Sequence, residues 1–97
     1  MTEGQLNILE EDAWLDSPLN DSYRQAFKEG FNESIKRLLS QPLSDRLTDK
    51  EKDEITDVYS SLSKKTRNFD LPIDMRQCAL AQMNILETLF GVTLFEE

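Results

Sequence analysis

The stretch from Pro72 to Phe90, PIDMRQCALAQMNILETLF, limits what this chain can fold into more than any other. Only Asp74, Arg76 and Glu87 carry charge in it. Ile73, Met75, Cys78, Ala79, Leu80, Ala81, Met83, Ile85, Leu86, Leu89 and Phe90 go most of the way round a helix of about 3.6 residues per turn. A helix apolar on most sides must be covered on most sides, by its own chain or by a second subunit. Its ends are marked as well. Pro72 suits the first helical position, Asp74 opposes the positive end of the helix dipole, and Gly91 stands where a left-handed C-cap is wanted. The expected helix covers residues 72–90.

Two further helices read clearly. From Asn20 or Asp21 to about Gln41, the residues Tyr23, Phe27, Phe31, Ile35, Leu38 and Leu39 recur at spacings of four, four, four, three and one, which is one helical face. Asn20 or Asp21 can cap its start, Lys36 and Arg37 suit its end, and Pro42 stops it. Gly30 in mid-helix costs about 1 kcal/mol against alanine, so either another helix approaches closely there or packing tolerates the slack. Thr48-Asp49-Lys50-Glu51 then forms a capping box, opening a helix over 48–66 with Ile55, Val58, Tyr59 and Leu62 as a narrow core stripe.

Residues 1–19 hold Glu3, Glu10, Glu11, Asp12 and Asp16 without one Lys or Arg, interleaved with Leu6, Ile8, Leu9, Trp14, Leu15 and Leu19. That pattern, followed by the SPLND turn signal, predicts an N-terminal arm distinct from a bundle domain over 20–97. The arm can hold a short extra helix around Leu6 to Leu15, with Trp14 and Leu15 either folded back on the core or presented to a groove. At the other end, Val92, Leu94 and Phe95 read as a short extended tail packed along a helix, or as an apolar end left open for a partner. The expected fold is all-α, a compact bundle of three main helices.

Several function classes are disfavoured. The net charge of −8, from 19 acidic and 11 basic residues, repels phosphate backbones and anionic lipid, so neither direct nucleic-acid binding nor membrane binding is expected. One cysteine forms no internal disulfide, and neither a signal peptide nor a membrane span is legible, which points to the cytoplasm, or the nucleus in a eukaryote. The chain has no histidine, so the usual general base near neutral pH and the commonest zinc ligand are both missing. Three glycines, at 4, 30 and 91, make no phosphate-cradling loop, and DKEKDE lacks the alternation of a calcium loop. The expectation is a protein that is not an enzyme and uses no cofactor or metal.

What remains is binding. The leading expectation is a protein–protein interaction module (adaptor, inhibitor or regulator) with a basic partner steered by the acidic surface. Trp14, Leu15, Phe90, Val92, Leu94 and Phe95 are the expected anchors. Surplus apolar surface on the 72–90 helix is further expected to serve as a homodimer seam or a partner groove. An alternative is nucleic-acid mimicry: Asp45, Asp49, Asp53 and Asp57 repeat every four residues with Glu54 beside them, roughly imitating spaced phosphates. A third is a structural subunit of a larger assembly.

Overall fold

Two threonines start helices in the same way. Thr2 Oγ1 accepts from the Gln5 amide at 3.2 Å, while the Gln5 side chain accepts from the Thr2 amide at 2.8 Å. Thr48 and Glu51 repeat the exchange at 3.2 and 3.0 Å. Each box satisfies amides that a helix start leaves without intrahelical partners. The helices they open are α1, Glu3–Asp16, and α3, Asp49–Arg67. The structure, a computed structural model, describes every residue except Met1, Pro42, Ser44, Asp45, Glu96 and Glu97, and the described residues are all-α, with no strand among them.

Between these two lies α2, residues 24–39, a continuous helix in three pieces: Arg24–Phe31, a π-helical segment Asn32–Lys36, and Arg37–Leu39. The π segment has a cause in the sequence. Side chains four residues apart drift about 40° per step round an ordinary α-helix. Phe27, Phe31, Ile35 and Leu39 hold that spacing through three steps, and all four are nonetheless buried. One wider turn takes up the drift and returns Ile35 and Leu39 to the core. The helix is shorter than the 20–41 expected: Asn20 instead caps a single 3-10 turn, Asp21–Tyr23, accepting from the Ser22 amide at 3.1 Å, and Ser40 is the C-cap. Pro42, expected to stop the helix, lies outside the described residues.

The last long helix, α4, is Ile73–Phe90. Pro72 sits one residue before its first turn, and Asp74 in that turn accepts from the Met75 amide at 2.9 Å. Gly91 ends it with φ 84° and ψ 146°, a combination open essentially to glycine, with its amide donating to Glu87 O at 2.8 Å. The positive φ matches the sequence pattern, although ψ lies outside the left-handed helical well.

The pairings give the topology. Lys36 meets Glu3 while Arg24 meets Glu10, so α1 and α2 run antiparallel. Tyr23 pairs with Cys78 and Phe27 with Gln82, so α2 and α4 run parallel. Lys65 and Met75 line one small cavity and Tyr59 bonds Glu87, so α3 folds back along α4. Leu6, Phe27, Phe31, Ile35, Ile55, Leu62 and Leu86 meet in one core. Among the described residues the bundle therefore rests on four long helices, three where main helices were expected and the fourth, α1, where the arm was expected to hold at most a short extra helix around Leu6 to Leu15. The tail Val92–Phe95 closes as a 3-10 turn rather than an extended segment. Overall dimensions are 37 × 32 × 19 Å, roughly two helices thick.

Candidate functional site

Glu10 and Arg24 fix one wall of the site. Glu10 is buried, and both its oxygens receive the Arg24 guanidinium, Nη2 to Oε2 at 2.9 Å and Nη1 to Oε1. Bonding to Glu10 raises the Arg24 pKa. The same guanidinium lies 5.3 Å from the centroid of the Trp14 ring, which meets Phe27 edge-on at 5.4 Å. With Leu6 in the core, these contacts seat α1 on α2.

A buried amide fixes the other wall. Gln82 of α4 donates to the carbonyl of Phe27 at 3.2 Å, and its oxygen lies 3.3 Å from the Ser34 hydroxyl, whose proton it shares with the Gly30 carbonyl at 2.7 Å. A Cβ on Gly30 would lie 2.7 Å from Gln82 Nε2, inside any normal contact distance. The Gln82 side chain of α4 thus fills the space that a side chain at position 30 would take. Beside it, burial pushes the Cys78 thiol up to about 11, the Asp74 carboxylate adding to the effect. On the far face, Tyr59 donates to Glu87 at 2.6 Å and stacks on Phe95 at 4.1 Å between centroids. That bond to Glu87, then burial, raises the Tyr59 pKa.

Because α1 and α4 are both anchored on α2, a groove of about 300 Å³ stays open between them. From α1 it is lined by Leu9, Asp12, Ala13 and Asp16, and from α4 by Gln77, Leu80, Ala81, Asn84, Ile85, Thr88 and Leu89. Ser17, Pro18 and Leu19 line its remaining side. Spacings of three and four place each set on one helical face. Leu80 keeps 46% and Leu89 40% of its surface exposed. Thr88 Oγ1 donates to Asn84 O at 2.9 Å and Ser17 Oγ to Trp14 O at 2.7 Å, so both hydroxyls are committed to the backbone. The charged groups that line the groove are Asp12 and Asp16.

None of the six expected anchors lines this groove. Trp14 is half-buried against Phe27 and Arg24, and Phe90, Leu94 and Phe95 pack partly buried on the core. Leu15 is 78% exposed on α1, and Val92 is exposed in the tail. A separate exposed apolar group, Phe69, Ile73 and Met75, surrounds the start of α4, with the Arg76 guanidinium 5.0 Å from the Phe69 ring centroid. Asp49, Asp53 and Asp57 are exposed along α3 and Glu54 is half-buried, whereas Asp45 lies outside the described residues. Among the described residues no cluster of three or more His, Cys, Asp or Glu side chains could hold a metal ion, and no helix is long and apolar enough to cross a membrane.

The groove residues that sequence reasoning missed carried a signal. Leu80 and Leu89 belong to the apolar surplus of α4, and Asp12 and Asp16 to the stretch without a basic residue. What sequence could not supply was the distance between α1 and α4. The chain matches no family model, no curated protein and no solved structure.

Proposed function

We propose that this chain is a non-enzymatic protein–protein interaction module, an adaptor, inhibitor or regulator that works by docking a partner protein. The observation that carries the reading is the groove between α1 and α4, where Leu80 and Leu89 stay open in an apolar trough rimmed by carboxylates. Interfaces draw most of their energy from a small apolar centre that excludes water, with charge at the rim tuning encounter. Action in the cytoplasm, or in the nucleus of a eukaryote, fits the buried free thiol of Cys78. Affinity capture from the native cell with wild type and with Leu80→Gln/Leu89→Gln, followed by mass spectrometry, tests it. A partner held by wild type and lost by a variant of unchanged circular dichroism is the expected result. Identical captures from both would remove the groove from the reading.

The exposed line Asp49, Asp53 and Asp57 supports a second reading, a mimic that blocks a DNA- or RNA-binding protein. The two differ in salt response. Binding through carboxylates falls steeply between low and moderate ionic strength, whereas binding anchored on leucines changes little. A partner released by converting all three aspartates to lysine, yet kept by the leucine variant, would favour the mimic.

A further inference from the structure

Resting on the reading of the groove as a docking site, we infer the chemistry of its occupant: an amphipathic helix of a partner protein, apolar along one ridge and basic on its flank. Two observations converge. The α4 wall runs from Gln77 to Leu89, about 18 Å at 1.5 Å per residue, which matches roughly three turns of helix. The trough lies between two helices, with Ala13 on one wall and Ala81 on the other leaving room for the ridge of a third. An apolar helical face laid into such a trough is an established recognition mode, read as anchors at i, i+3 or i+4, and i+7.

Charge selects among such helices. Among the described residues every charged side chain lining the groove is a carboxylate, and Asp12 and Asp16 stand one turn apart on the same wall. Lysine or arginine at matching spacing on the incoming helix would pair with both. Glu10 adds little to this field because Arg24 already holds it. A second copy of the chain is the poorer occupant, since it carries −8 itself and would bring carboxylates to carboxylates.

The test uses the full chain, isotope-labelled, and two synthetic helices of about 16 residues that share one leucine ridge. One carries lysine on the flanks and the other glutamate. Expected is binding of the lysine peptide with amide shifts at Leu80, Ala81 and Leu89. Leu80→Gln/Leu89→Gln should weaken it tenfold or more, and Asp12→Asn/Asp16→Asn about threefold to tenfold. Equal binding of the glutamate peptide in the groove would overturn the inference while leaving the groove a docking site. Shifts confined to the Asp49–Asp57 face, or no binding of either peptide, would overturn both. Light scattering that finds a dimer broken by Leu80→Gln/Leu89→Gln would overturn the basic helix in favour of a second copy.

Discussion

Gly30 and Gln82 show how one residue choice fixes a helix contact. Alanine at 30 gains about 1 kcal/mol of helix propensity but drives a Cβ to 2.7 Å from an amide whose oxygen and nitrogen are both engaged. Gly30→Ala should therefore lower stability by about 1–3 kcal/mol in urea unfolding, and adding Gln82→Ala should recover part of that loss. Arg24 poses the complementary case. Arg24→Ala strands the buried Glu10 carboxylate, so a loss of about 1–3 kcal/mol and a red shift of Trp14 emission are expected. Replacing both partners with leucine should restore much of it, because a matched apolar pair leaves no orphaned charge. Cys78 carries a pH signature. The folded state holds the thiol proton up to about 11, against 9.0 ordinarily, so its contribution is complete below pH 9 and is lost as pH rises from 9 through 11. The raised Tyr59 pKa acts in the same direction, above the ordinary 10.0. Urea midpoints should hold steady from pH 7 to 8.5 and fall beyond about pH 9, less so in Cys78→Ala.

Among the helices, α3 and α4 were legible almost to the residue, because the Thr48–Glu51 box, Asp74 and Gly91 are local chemistry that needs no tertiary context. The same box at Thr2–Gln5 was written in the sequence too, and it marks where the 14-residue N-terminal helix begins. Its acidic background hid it: only Leu6 and Glu10 are buried, and Glu10 enters the core solely because Arg24 accompanies it. The π turn was present as a run of four-residue spacings, although spacing alone does not say whether a helix drifts or widens. Tyr59, read only as part of a core stripe, also joins α3 to α4 and to the tail. Tyr59→Phe deletes the bond to Glu87 and should cost about 1 kcal/mol, checked by thermal melting.

At the scale of the whole molecule the shape decides what is left open. A slab about two helices thick has no further layer to lay over α4. The chain exposes 6565 Å², where a compact monomer of 11.2 kDa exposes about 5,700 Å². The groove and the Phe69–Met75 group lie in that larger surface, and no pattern in the sequence gives it, because it follows from how far apart α2 holds its two neighbours. A subunit folded only within an assembly would show broad NMR lines alone; with this core, cooperative unfolding and dispersed amides are expected of the isolated chain. Docking through the groove is tested most directly by a photo-crosslinking amino acid placed at position 80, and separately at position 53, in the native cell. The expected result is a discrete protein adduct from position 80 that position 53 does not give. An adduct from position 53 alone, or the same adducts from both, would contradict it.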